Sequence, residues 1–299
     1  MNWKKVESIE EIDYDGEVYN LHVENNHNYF ANGTMVSNCH LATGKSLTTI
    51  MEKLTNVKYR VGTTGTIQDE KVSQLCLEGI LGPVHRVITT RKLMDSKRVV
   101  DLNIQCLILK YPEETRKIMK DCKYQEEIDF IIGNESRNKF ISNLALKQNG
   151  NTLVLFQFVA KQGKILHKMI VDRAEDGRKI FYVSGEISTE DREAIRIGMN
   201  DESNAILCAS FSTFSTGINL PSIENIIFAS PTKSKIRNLQ SIGRGLRLSK
   251  GKISCTLYDI ADNLSYKKYS NYTLNHFSAR VELYAKEEFD FKLHQIEIK

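Results

Sequence analysis

Residues 152–184 read TLVLFQFVAKQGKILHKMIVDRAEDGRKIFYVS. TLVLFQF is a continuous apolar run of strand length, AKQGKILHKMIVDRA carries apolar residues at helical spacing, and KIFYVSG is a second strand. Strands that are apolar on both faces, separated by an amphipathic helix, belong to a parallel sheet covered by helices on both sides. The alternation continues outward. Upstream lie the strand NIQCLILKY (103–111) and the helix ESRNKFISNLALKQNG (135–150), with Phe140, Ile141, Leu144 and Ala145 on one face and Gly150 as its stop. Downstream come the helix STEDREAIRIGMND, the strands AILCASF and ENIIFAS, the helix SKIRNLQSIGRGLR and the strand ISCTLYDIA. HFSARVELYAKEEFDFKL (276–293) reads as one more helix. The expected fold class is therefore α/β with a parallel sheet.

The first 38 residues have a different texture. GEVYNLHVE, NYFANG and TMVSN are short β segments punctuated by Asp15-Gly16 and Asn32-Gly33, both good tight-turn pairs. Strands this short bury no core alone. At 299 residues the chain has room for two domains. Its hydrophobic share of 41% and charged share of 26% are those of ordinary globular proteins. No apolar run approaches the ~20 residues of a membrane span, and no leader peptide opens the chain. The six cysteines form no CxxC pair and have no spaced histidine partners, which speaks against zinc or a disulfide framework and for a reducing, cytoplasmic setting. A net charge of +4 is compatible with a nucleic-acid partner without requiring one.

Gly44-Lys45-Ser46 has the ending of a phosphate-binding loop. The first glycine of G-x-x-x-x-G-K-[ST] is what lets the backbone wrap the phosphates, and Cys39 stands in its place. No apolar strand feeds the segment either. The GKS is read as incidental, and no metal site is expected.

Three later stretches carry chemistry in order. VGTTGT (61–66) ends in Thr64, Gly65 and Thr66 and resembles motif III of superfamily 2 helicases, which implies that these residues couple nucleotide state to nucleic-acid grip. SFSTFSTGINLP (210–221) follows a strand and resembles motif V, which implies that Ser210, Thr213, Thr216 and Gly217 supply hydroxyls and backbone N–H groups to strand phosphates, contacts that position without reading sequence. QSIGRGLR (240–247) begins at Gln240 and places Arg244 and Arg247 three apart, on one side of a helix. Two guanidiniums aimed at one point suit the charge on a transferring γ-phosphoryl group.

These stretches resemble motifs III, V and VI of superfamily 2 helicases. YQEEIDFIIGNESRNKFISNLALK, YVSGEISTEDR, FSTGIN and KSKIRNLQSIGRGLR further resemble the UvsW-like helicases of T-even-type bacteriophages, over most of residues 39–299. The resemblance implies RecA-like lobes, ATP and Mg²⁺ as cofactors, and DNA and RNA–DNA hybrids as partners during recombination and replication. The family's motif II is an Asp-Glu-Cys-His box. Here the sequence begins it at Cys39-His40, so the acids that would serve Mg²⁺ are not in the chain, nor is the motif I lysine.

Residues 1–38 resemble the C-terminal piece of a split intein of the DnaE type. VYNLHVENNHNYFANG corresponds to the block before the downstream junction, and MVSN followed by Cys39 to the junction itself. That resemblance implies that Asn38 cyclises on its own carbonyl, that the Cys39 thiol captures the upstream segment as a thioester, and that His27 protonates or polarises at the junction. Ser37 stands where many inteins have histidine, as in the DnaE type, and Asn20 replaces a usual aspartate. Splicing needs no cofactor.

The expected organisation is an intein fragment at 1–38, the end of a first helicase lobe at 39–98, a second lobe at 99–265 and a helical tail at 266–299. The expected function is that of a trans-splicing precursor. An N-terminal intein–helicase fragment would join to Cys39, yielding an ATP-dependent helicase that works in the (host) cytoplasm, with no membrane partner. The isolated chain is not expected to hydrolyse ATP. The rival reading is a nucleic-acid-binding module that never splices.

Overall fold

The computed structural model describes residues 28–31, 34–37, 49, 60–62, 71–85, 87–217, 220–232, 234 and 241–299. The chain divides into two compact units, Met1–Val87 and Ile88–Lys299.

In the first unit, β1 (Asn28–Ala31) and β2 (Thr34–Ser37) pair antiparallel, with Ala31 opposite Thr34, the register that a two-residue Asn32-Gly33 connection closes. β3 (Arg60–Gly62) adds parallel to β2, Ser37 opposite Gly62. Helix α1 covers Lys71–Leu81. β1 and β2, before the Asn38-Cys39 junction, and β3, after it, thus share one three-stranded sheet. The boundary expected at 38/39 is not one between compact units.

The second unit is a seven-stranded sheet, every neighbouring pair parallel. Its elements in chain order are α2 (Thr90–Asp95), β4 (Asp101–Lys110), α3 (Glu113–Ile118), α4 (Tyr124–Gly133), α5 (Glu135–Lys147), β5 (Thr152–Phe156), a π turn (Val159–Gly163), α6 (Lys164–Val171), β6 (Ile180–Val183), α7 (Thr189–Asn200), β7 (Ile206–Ser210), α8 (Phe211–Gly217), β8 (Asn225–Phe228), β9 (Ser254–Asn263), α9 (Tyr272–Lys286) and β10 (Phe291–Glu297). The order across the sheet is β10-β4-β9-β8-β5-β7-β6. β5, β7 and β8 are buried along their whole length, as continuous apolar runs require when helices cover both faces. Alternate residues feed two cores. Leu153, Leu155, Leu207, Ile226, Phe228 and Leu257 pack on one face, and Val154, Phe156, Ile206, Cys208, Ile227 and Ile260 on the other.

The tail departs from expectation. It is helical only to Lys286; Phe291–Glu297 is an edge strand parallel to β4. SFSTFSTG contains the short helix α8, Phe211–Gly217, which the sequence reading did not assign. Among the described residues, no helix is long and apolar enough to cross a membrane.

Two fully buried carboxylates on β9 tie the layers together. Asp259 accepts from the Arg280 guanidinium of α9 (2.8 Å) and from Tyr284 Oη (2.9 Å). Asp262, three residues on and so on the opposite face, accepts from Arg137 of α5 (2.7 and 3.0 Å) and from Tyr111 Oη (2.8 Å). Burial alone would lower both arginine pKa values; the facing aspartates reverse this and raise them. At the start of α9, buried Glu127 accepts from the N–H groups of Tyr272 (2.9 Å) and Thr273 (2.7 Å), a carboxylate at the positive end of a helix.

Burial pushes the thiols of Cys106, Cys208 and Cys255 from 9.0 up to about 12. Burial and then a neighbouring carboxylate raise the phenols of Tyr111 and Tyr284. The folded chain keeps these protons where the unfolded chain loses them, so the unfolded state binds fewer protons and stability falls as pH rises past the unfolded values. Urea denaturation should show this loss setting in above about pH 9, with the stabilisation complete below it. At about pH 8, a thiol reagent should modify exposed Cys76 quickly and Cys106, Cys208 and Cys255 only on unfolding. Equal rates at all four would contradict this packing.

Candidate nucleotide and nucleic-acid site

β7 ends in Ser210, and α8 starts from it without a loop. The Ser210 hydroxyl oxygen accepts from Thr213 N (3.3 Å) and lies 2.8 Å from Thr213 Oγ1, the bonding of an N-cap. Both residues are buried, at 2% and 6% exposure. Ser210 and Thr213, expected to face a nucleic-acid strand, lie with their hydroxyls within hydrogen-bond distance of each other at the helix start. Ser212, between them, is exposed. Of the other residues expected here, Thr216 and Gly217 lie in the last turn of α8, where the backbone course alone is described.

The arginine segment lies against the same face of the sheet. Residues 241–245 are helical, and Ile242 and Leu246 pack in one core with Phe211 and Phe214 of α8. Gly245 is what allows this approach: a Cβ there would sit 2.5 Å from Ile226 Cδ1 and 3.0 Å from Cys255 Sγ. A Cβ there would force the Ile226 side chain to shift.

Arg244 is half-buried, its guanidinium carbon 5.6 Å from the centre of the Phe214 ring, a cation–π contact joining the arginine segment to α8. Burial and then the Arg247 charge lower its pKa, so the two guanidiniums stand within each other's field. Arg247 is exposed and lies just past the helical residues rather than within them. The two guanidiniums thus differ in surroundings: Arg244 is stacked and half-buried, Arg247 exposed.

Other side chains that sequence reasoning passed over hold this region in place. The segment leaving β8 toward the arginines is gripped at Ala229 O by Arg137 (2.8 Å) and Gln162 (3.1 Å), and at Thr232 O by Arg280 (2.8 Å). Ser230 hydrogen-bonds Gln162 and accepts from Gln157 N at 2.8 Å. Lys252 donates to the carbonyls of Pro221 (2.9 Å), Gly245 (2.5 Å) and Arg247 (3.3 Å). Buried arginines and a lysine in a Lys-Gly-Lys turn give no pattern that a sequence reader would select.

His27, Asn38, Cys39, His40, Thr64, Gly65, Thr66 and Gln240 lie outside the described residues, as does Gly44-Lys45-Ser46. Ser37 closes β2, with its backbone alone described. Among the described residues, no group of three or more His, Cys, Asp or Glu side chains could hold a metal ion.

Residues 135–249, which include α8 and both arginines, match the helicase conserved C-terminal domain. The chain is 35% identical over 277 residues to the ATP-dependent DNA helicase uvsW of Enterobacteria phage T4, covering 88% of this chain and 54% of that protein. The crystal structure of T4 UvsW superposes with a TM-score of 0.57 at 33% identity, over 89% of this chain and 54% of that one. The Type ISP restriction-modification enzyme LlaBIII, in a DNA-bound structure, shares the fold at a TM-score of 0.61 and 14% identity, over 89% of this chain and 22% of its own. The chain thus spans about half the length of the phage helicase that it matches. It is homologous to UvsW, and its seven-stranded parallel sheet is a RecA-like helicase lobe.

Proposed function

We propose that this chain is the C-terminal half of an ATP-dependent helicase acting on DNA and on RNA–DNA hybrids. We further propose that residues 1–38 are a splicing element through which the other half is joined. The observation that carries the helicase reading is the coupled pair Arg244 and Arg247, seated beside α8 in a lobe homologous to UvsW. Exposed Arg247 is the finger that reaches a γ-phosphate, and Arg244, fixed on Phe214, orients beside it. Thr216 and Gly217, in the last turn of α8, hold a strand by its phosphates. When bound, Mg²⁺-ATP supplies the transferable phosphoryl group and the charge that neutralises it. The donor set of this chain fits the phosphate end alone: the metal-holding acids and the phosphate-loop lysine belong to the joined partner.

Two observations support the splicing element. A hairpin ends at Ser37, next to Asn38-Cys39. The residue types at Asn38-Cys39 are those that the resemblance requires at a downstream splice junction. Against it, β2 pairs with β3 across the junction, which favours the rival reading of a hairpin that stays attached to a non-splicing module.

Mixing the chain with its N-terminal partner and weighing the products decides between them. Splicing yields a ligated product whose C-terminal part begins at Cys39, plus a free peptide of residues 1–38. Cys39→Ala abolishes ligation, and Asn38→Ala stalls at the branched intermediate. Wild-type ligation by the Asn38→Ala variant, or none by the native chain, sinks the splicing reading.

In the joined helicase, Arg247→Ala should lower kcat by about 10³-fold while single-strand binding survives. Thr216→Ala should weaken strand binding and leave nucleotide affinity nearly unchanged. An Arg247→Ala protein that hydrolyses ATP normally but loses DNA would show the roles reversed.

A further inference from the structure

An ammonium group has three N–H donors and no acceptor. At Lys252 all three find backbone carbonyls: Pro221 O at 2.9 Å, Gly245 O at 2.5 Å and Arg247 O at 3.3 Å. These acceptors come from two stretches. Gly245 and Arg247 flank the end of the helical residues 241–245, where carbonyls run out of N–H partners and carry the negative end of the helix dipole. Pro221 lies four residues beyond α8, on the segment that leads into β8. Lys252 itself stands just ahead of β9, fixed by that strand's ladder to β4 and β8.

We propose that Lys252 is a positioning residue, which sets the reach of Arg247 and locks the arginine segment to the segment following α8. The inference rests on the helicase reading for its consequence but not for its geometry. Burial of the ammonium is unfavourable and lowers the Lys252 pKa, with Cys255 and Glu224 acting in the opposite direction. Three charge-assisted bonds to carbonyls offset that cost, and no surface stem is needed there for solubility. The arrangement also extends to a neighbouring segment. Val100 N donates to Leu246 O at 2.9 Å, between the two carbonyls that Lys252 holds, so the register of 245–247 is read out by the chain entering β4. Together with the Arg244–Phe214 contact, this makes two independent ties between the strand-binding turn and the phosphate-facing arginines.

Hydrogen exchange with mass analysis on the full chain tests this directly. Lys252→Met should speed exchange in 245–248, and at Val100, by about tenfold or more, as loss of charged hydrogen bonds predicts. Exchange in β5 and β7 should not change, and Lys252→Arg should recover part of the protection. In the protein joined to its first-lobe half, Lys252→Met should lower kcat with KM for ATP nearly unchanged, because a misplaced finger is missed in the transition state alone. Unchanged exchange at 245–248 overturns the proposal. So does faster exchange spread evenly over the sheet with no recovery by Lys252→Arg, which marks a plain stabilising role. If the joined wild-type protein lacks ATPase activity, the helicase reading falls, and the exchange result alone decides whether Lys252 fixes the segment.

Discussion

The lobe depends on two carboxylates that cannot be left alone. Asp259 and Asp262 are fully buried on β9, and an unpaired charge in such surroundings costs several kcal/mol. Because side chains alternate across a strand, a spacing of three sends them to opposite faces. Each therefore demands a guanidinium from a different layer. Arg280 comes from α9 on one side and Arg137 from α5 on the other. One central strand thus fixes the position of helices that are otherwise held by non-directional apolar contact.

The consequence reaches the site. Each arginine has donors to spare after pairing, and each spends one on the chain leaving β8: Arg137 on Ala229 O and Arg280 on Thr232 O. That chain leads to the arginine segment, which Gly245 allows to settle on β8 and β9 and Lys252 pins at its end. The buried ion pairs thus hold the chain at Ala229 O and Thr232 O, ahead of the arginine segment in sequence. This explains why α9, far along the sequence, is part of this lobe and not an appendage: without Arg280, Asp259 would be buried unpaired and Thr232 O would lose its donor.

The sheet was legible because its central strands are buried on both faces, which leaves uninterrupted apolar runs such as TLVLF and ILCAS. The arginine pair was legible from its spacing, and the structure brings the two together. What was missed follows from the physics of each position. β10 is an edge strand with most of its residues exposed, so it lacks both the apolar run and the clean alternation, and it continues the helical look of the residues before it. In α5, the apolar face was read from Phe140, Ile141, Leu144 and Ala145, yet Arg137, Asn138 and Ser142 are the polar residues buried beside Ile141 and Ala145. A charge that is buried because its partner lies 125 residues away leaves no local trace. Ser210 and Thr213 have the right chemistry for a phosphate, and a serine at the end of a strand and the start of a helix is equally suited to capping, the bonding seen at Thr213 N.

The central claim is that this lobe supplies arginines and a strand-binding turn, but not the triphosphate cradle, of a nucleic-acid-driven ATPase. The measurement that tests it most directly is ATP hydrolysis, with and without single-stranded DNA, by the chain alone and after joining to a partner that carries the phosphate loop and the paired acids. The account predicts no hydrolysis by the chain alone and DNA-stimulated hydrolysis by the joined protein. Hydrolysis by the isolated chain that is lost on Lys45→Ala, or a joined protein indifferent to DNA, would contradict it.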